Sequence, residues 1–327
     1  MDRRALLIPA VVGPTASGKT ALSIALARAL GGEILCCDSM QIYREMDIGT
    51  AKPTAAEQAL VPHHLVDFVD PRTPFSAADY VAAAAPVIED LCARRVTPVL
   101  CGGTGLWLSS LRRGTAAQAA VPGKTAIRAE LEAEAATEAG RACLYARLCA
   151  SDGESAAAIH PNNIRRVIRA LEVYLSTGIP KSEWDRRSQQ APAAYDIRPI
   201  GIRFFDRERL YARINARVDA MIEGGLVREV ERLLSEGKLP EGSTAAMAIG
   251  YKEIAAALRA ECTLGEAIET LKLATRHYAK RQMTWFLSDK TVFWLDALDT
   301  RGNEKTPEAL CAEALAYLQE TAPALFA

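Results

Sequence analysis

Eight consecutive residues, Gly13-Pro14-Thr15-Ala16-Ser17-Gly18-Lys19-Thr20, fit the pattern G-x-x-x-x-G-K-[ST]. Glycines let a backbone wrap so that successive N–H groups converge on phosphate oxygens, and a helix N-terminus behind them adds its dipole. Lys19 contributes a mobile positive charge, and the Thr20 hydroxyl is placed to ligate Mg²⁺. The loop recognises a diphosphate group but neither a base nor a lipid. A kinase, a nucleotide switch and a prenyl-diphosphate enzyme are all compatible with it.

Two further groups of residues could act on whatever the loop holds. Asp38 opens the run Asp38-Ser39-Met40-Gln41-Ile42-Tyr43-Arg44 after an apolar stretch, Ile34–Cys37. A carboxylate at the C-terminal end of a strand, beside a phosphate loop, can accept a proton or hold a metal ion. A second glycine loop, Gly102-Gly103-Thr104-Gly105, follows the apolar run Val96–Cys101 and carries a hydroxyl between its glycines. Arg213 and Arg217 lie one turn apart in a helical pattern and are candidates for a diphosphate clamp.

These residues need a scaffold, and the first third of the chain supplies a parallel one. Short apolar runs at Leu6–Val12, Ile34–Cys37, Leu65–Val69 and Val96–Cys101 alternate with helical stretches at Lys19–Leu30 and Ser76–Arg95. Buried strands alternating with helices predict βαβ units. From about residue 116 the strand signals stop. Ala126–Leu148 and Asn163–Ser176 read as helices, and 177–196, with Gly178, Pro180 and Pro192, as a loop. Strand-like Ile197–Phe205 then resumes, followed by helices at Arg207–Glu223, Val227–Glu236, Ala246–Arg259 and Glu266–Leu287, a last strand at Val292–Leu295 and a helix at Pro307–Glu320. The expected architecture is α/β: a parallel core over 1–116 and 197–327, interrupted by a helical insertion over 117–196.

Composition excludes several classes. The 327 residues are 50% hydrophobic and 24% charged, ordinary for a globular protein, and the net charge of −1 gives no global attraction for nucleic acid. Charge is unevenly spread, however: residues 160–217 hold twelve Lys/Arg against six Asp/Glu. The eight cysteines are scattered without a CxxC pair, which favours reduced thiols over a disulfide framework. Nothing approaches the roughly 20 apolar residues needed to span a membrane. The apolar run after Arg3-Arg4 reads as a buried strand, since cleavage there would destroy the phosphate loop. The adjacent His63 and His64, without an obvious partner, read as structural, and Trp285-Phe286 as core packing.

Seven segments in order, GPTASGKT at 13–20, DSMQIYREMDIGTAKPT at 38–54, PHHLVD at 62–67, GGTGLW at 102–107, PNNIRRVIRALEVYLSTG at 161–178, MAIGYKE at 247–253 and TRHYAKRQMTWF at 275–286, together resemble the tRNA dimethylallyltransferases (isopentenyl-tRNA transferases). Trp107 stands where that family commonly has Tyr, and Arg165 where it often has Gln. The resemblance implies a P-loop NTPase-like fold and transfer of a dimethylallyl group from dimethylallyl diphosphate to N6 of adenosine 37 in tRNA, with Mg²⁺. In this sequence it implies Asp38 as hydrogen-bond or proton acceptor, Thr104 beside the departing oxygen, and Asp38, Ser39, Met40, Gln41 and Thr104 at the target base. It places Arg165, Arg166, Val167, Ile168 and Arg169, with Arg128 as a weaker candidate, against the tRNA anticodon stem-loop. It further implies a cytoplasmic monomer with no obligate protein partner. The rival readings are prenylation of free adenine nucleotides and a small-molecule kinase that uses ATP.

Overall fold

The computed structural model describes residues 6–113, 126–190 and 193–326. The chain folds into two compact units, Met1–Arg112 with Tyr195–Ala327 and Arg113–Ala194.

The larger unit is built on a six-stranded sheet of β1 (Leu6–Val12), β2 (Gly32–Cys36), β3 (His63–His64), β4 (Thr97–Cys101), β5 (Tyr195–Arg203) and β6 (Phe293–Asp296), in the order β3-β2-β4-β1-β5-β6. Every pairing is parallel. Alternation along β1 explains how both faces are covered: Ile8, Ala10 and Val12 enter one core and Val11 the other. α1 (Lys19–Ala29) and α14 (Pro307–Thr321) bury Leu22, Leu26, Leu310 and Leu318 against the Val11 side. α3 (Ala77–Ala93) and α4 (Gly105–Arg113) bury Tyr80, Ile88, Trp107 and Leu111 against the other, with Tyr80 stacked on Trp107 at 4.5 Å between centroids. α10 (Arg207–Glu223), α11 (Leu226–Ser235), α12 (Tyr251–Leu258) and α13 (Leu264–Ser288) complete this unit, with the short α2 (Ala55–Leu60).

Among its described residues the smaller unit has helices as its only regular elements: α5 (Ala126–Glu134), α6 (Glu138–Ser151), α7 (Gly153–Ala158), α8 (Ile164–Thr177) and α9 (Lys181–Gln190). Its core gathers Leu131, Leu144, Leu148, Val167, Ile168 and Leu171. Inside it Glu172, fully buried, is held by both arms of Arg128 at 3.1 and 2.6 Å and by Arg169 at 2.7 Å. A buried carboxylate stays charged only with such partners.

Three expectations are corrected. The strand read at Leu65–Val69 is not formed: β3 lies just before it, at His63–His64, and only an isolated bridge from Tyr43 to Val69 falls within it, because Leu65 and Asp67 adopt positive φ and break the extended run. Part of the loop read at 177–196 is α9, a helix without an apolar stripe whose i,i+4 pairs, Lys181–Asp185 and Glu183–Arg187, support it. The single helix read over 126–148 is two, since Thr137 accepts the Gly140 N–H and caps a new helix.

Candidate active site

The sheet order places β2, β4 and β1 side by side, so the segments leaving their C-terminal ends converge. The first is the phosphate loop. Gly18 caps α1 with φ of 94°, a left-handed conformation that a side chain would strain. Within the loop, the Lys19 ammonium donates to the Pro14 carbonyl at 2.7 Å, and the Ser17 hydroxyl is buried with no partner. Burial pushes Lys19 down to about 8; Cys101 and Asp38 pull it back up, and Arg217 lowers it further.

The two clamp candidates both reach this loop from α10. Arg213 donates through Nε to the Ala16 carbonyl at 2.9 Å and pairs with Glu304. Arg217 donates to the Thr15 hydroxyl at 3.4 Å. Burial, then the charge of Arg213, holds the Arg217 pKa below the ordinary arginine value. Three cations around one loop of backbone N–H groups make a cradle for a polyanion.

Next to the cradle, Asp38 follows β2 and its carboxylate accepts the Met40 N–H at 3.0 Å, folding the segment back on itself. The Ser39 N–H donates to the Thr104 hydroxyl at 3.0 Å, and that hydroxyl donates to Ser39 Oγ at 3.3 Å. Thr104 N–H bonds the Cys37 carbonyl at 3.2 Å, so the second glycine loop and the Asp38 segment are stitched together. Burial raises the thiols of Cys36, Cys37 and Cys101, which therefore stay neutral.

Two site residues carry no role in the sequence reading. Gln282, buried on α13, accepts the Thr15 N–H at 2.8 Å and donates to the Gly103 carbonyl at 3.1 Å, joining the two glycine loops. A Cβ at Gly103 would come within 2.0 Å of its amide nitrogen, which is why this position has none. One turn earlier, burial and the Asp38 charge raise the hydroxyl of Tyr278, beside Thr104 and Gln282, well above the usual tyrosine range. Polar residues at i and i+4 on a helix that also buries Ala279 and Phe286 were the available signal.

Other expected residues are placed differently. Gln41 engages its amide inside the protein, donating to the carbonyls of Thr50 at 3.2 Å and Ala51 at 3.0 Å. Val167 and Ile168, expected on tRNA, have their side chains in the core of the helical unit and cannot present them to a ligand. Arg128 and Arg169 are ion-paired with Glu172, whereas Arg165 and Arg166 are exposed. His64 does have a partner, Glu33 at 2.6 Å, and His63 bonds the Val61 carbonyl at 2.8 Å. Phe286 is core, but Trp285 is 44% exposed beside Gly105.

A parallel sheet with a phosphate loop after its central strand, and a carboxylate and hydroxyl at the neighbouring strand ends, defines a P-loop protein of the α/β class. Comparison with known proteins narrows this: IPP transferase matches residues 41–289 and isopentenyl transferase residues 7–63. The tRNA dimethylallyltransferase of Syntrophobacter fumaroxidans is 48% identical over 292 residues, 89% of this chain and 84% of that one. The crystal structure of the tRNA isopentenylpyrophosphate transferase of Bacillus halodurans matches with a TM-score of 0.70 and 40% identity, covering 99% of this chain and 100% of that one. A eukaryotic dimethylallyltransferase acting on tRNA matches with a TM-score of 0.80 and 28% identity, covering 97% of this chain and 79% of that one. The chain belongs to the IPP transferase family.

Proposed function

We propose that this protein transfers the dimethylallyl group of dimethylallyl diphosphate to N6 of adenosine 37 in tRNA. The observation that carries the reading is the joining, through Gln282, of a diphosphate cradle to the loop that holds Thr104 and the Asp38 segment. In the reaction the C–O bond to the diphosphate breaks as a C–N6 bond forms, diphosphate leaves as the anion, and N6 loses a proton. An adenine amine is a poor nucleophile because its lone pair is delocalised into the ring. Asp38 accepts its hydrogen bond and then its proton. Lys19, Arg213, Arg217 and the loop N–H groups stabilise the charge that builds on the leaving group, and Thr104 donates to the bridging oxygen.

The donor set of the cradle suits Mg²⁺: the hydroxyl of Thr20 and the buried unpartnered hydroxyl of Ser17 are hard oxygen ligands, and the neighbouring thiols are neutral. Thr20 would hold the ion, which when bound neutralises diphosphate charge.

For tRNA, the exposed Arg165 and Arg166 are the phosphate contacts. No described helix is long and apolar enough to cross a membrane, and a tRNA substrate is met in the cytoplasm. Incubation with Mg²⁺ and labelled dimethylallyl diphosphate, offering total tRNA, AMP and ATP in parallel, separates the readings. Label on tRNA alone supports this one; label on AMP or ATP points to prenylation of free nucleotides, and no transfer at all reopens the kinase.

A further inference from the structure

The segment 43–52 has almost no regular secondary structure, yet its backbone is tightly held, and the holder lies far away in sequence. Glu229, buried on α11, points its carboxylate into the turn 47–49. One oxygen accepts the N–H groups of Asp47 at 3.0 Å and Ile48 at 2.9 Å; the other accepts Gly49 N–H at 3.2 Å and the Tyr251 hydroxyl at 2.5 Å. Four donors on one carboxylate satisfy nearly all its lone pairs. Burial, followed by the Glu229 charge, keeps the Tyr251 proton in place as a permanent donor. Gly49 has no room for a side chain here, since a Cβ would lie 2.5 Å from the Tyr251 ring.

This turn is connected to the chemistry. Thr50 and Ala51, the next two residues, offer their carbonyls to the Gln41 amide, and the Thr50 hydroxyl donates to the Met46 carbonyl at 2.6 Å. Gln41 closes the short segment whose first residue is Asp38. Two other residues at the end of the same region, Arg232 and Lys238, grip Glu45, so α11 and the residues after it fasten the whole segment. A neutral amide in place of the carboxylate would turn one acceptor into a donor facing N–H groups.

We propose that Glu229 is a positioning residue for prenyl transfer: with Tyr251 as its fixed donor, it sets the 47–51 turn and, through Gln41, the placement of Asp38 against the acceptor base. The inference rests on the transfer reaction proposed above. It is separate from the diphosphate cradle, which Gln282 and α10 hold.

The test uses the full chain carrying Glu229→Gln or Tyr251→Phe, the second removing one donor of four with little change in volume. Hydrogen exchange of the 46–51 amides should accelerate at least about tenfold in Glu229→Gln and less in Tyr251→Phe, with β1 and α1 protected as before. The kcat for transfer should fall and the KM for tRNA rise in the same rank order, while affinity for inorganic diphosphate stays within about twofold. Unchanged exchange at 46–51, or faster exchange with unaltered kcat and KM, overturns the proposal. So does a loss of diphosphate affinity in step with activity, which would mean general loosening. If the unvaried chain transfers nothing, the reaction itself is misassigned, and the tether is judged on exchange and tRNA affinity alone.

Discussion

The side-chain oxygen of Gln282 accepts the backbone N–H of Thr15 at 2.8 Å across 267 residues of chain. The same amide donates to Gly103, so one side chain fixes the spacing between the phosphate loop and the loop bearing Thr104. Replacing Gln282 by Leu leaves a part-buried N–H and a buried carbonyl unsatisfied, the carbonyl alone costing about 1–3 kcal/mol. The variant should melt several degrees lower, bind inorganic diphosphate more weakly and lose kcat. A variant with a wild-type melting temperature and diphosphate affinity would show that the bridge is incidental.

Lys19 gives the cradle a pH dependence whose sign is fixed. Its folded value near 8 lies below its ordinary 10.5, so in the free protein the ammonium is lost as pH rises through about 8. A bound polyanion favours the charged form. Diphosphate affinity should therefore be flat below about 8 and fall above it, with proton uptake on binding, until the lysine of the complex also titrates. Calorimetry in buffers of different ionisation enthalpy reads that uptake directly. Lys19→Arg should abolish the slope, and a slope that survives it would belong to another group.

The arginines of α8 divide by environment. Arg165→Ala with Arg166→Ala should reduce the salt dependence of tRNA binding by about two phosphate contacts and leave turnover at saturating tRNA nearly unchanged. Arg169→Ala should act differently, because it withdraws one partner from the fully buried Glu172, whose charge Arg128 still compensates, and destabilises the helical unit by about 1–3 kcal/mol. Equal effects of all three on the salt slope, with no change in stability, would contradict this division.

What the sequence disclosed follows from how local each signal is. The phosphate loop, Asp38 and Thr104 are marked by short patterns beside apolar strands, and their neighbours in space follow from strand order. Arg213 and Arg217 were visible as a helical pair, although Glu304 as a partner was not. Gln282 and Tyr278 carried only their i,i+4 spacing on α13, and Glu229 carried no local mark. Each acts by reaching groups distant in sequence, such as Thr15 or Asp47, and only the fold reveals which amides need an acceptor. The same blindness misplaced Val167 and Ile168: their apolar character fitted a core, and the family segment outweighed it. Positive φ at Leu65 and Asp67 likewise leaves no trace in an apolar run.

Asp38 is the proposed proton acceptor, and its carboxylate also accepts the Met40 N–H. Asp38→Asn keeps an acceptor oxygen for that bond and removes the base. Transfer should fall about 10²–10⁴-fold with tRNA affinity retained. Near-normal turnover at saturating substrates would remove Asp38 from the mechanism.

The central claim is that this phosphate loop holds a prenyl diphosphate and not a nucleotide to be hydrolysed. Purified protein should be incubated with Mg²⁺, dimethylallyl diphosphate and unmodified tRNA in the complete absence of ATP, and the tRNA digested for nucleoside mass spectrometry. One adenosine next to the anticodon should gain a dimethylallyl group, with one diphosphate released per modification. Transfer that stops without ATP, or stoichiometric ATP hydrolysis accompanying each transfer when ATP is supplied, would contradict the assignment of Lys19 and its loop to the prenyl donor.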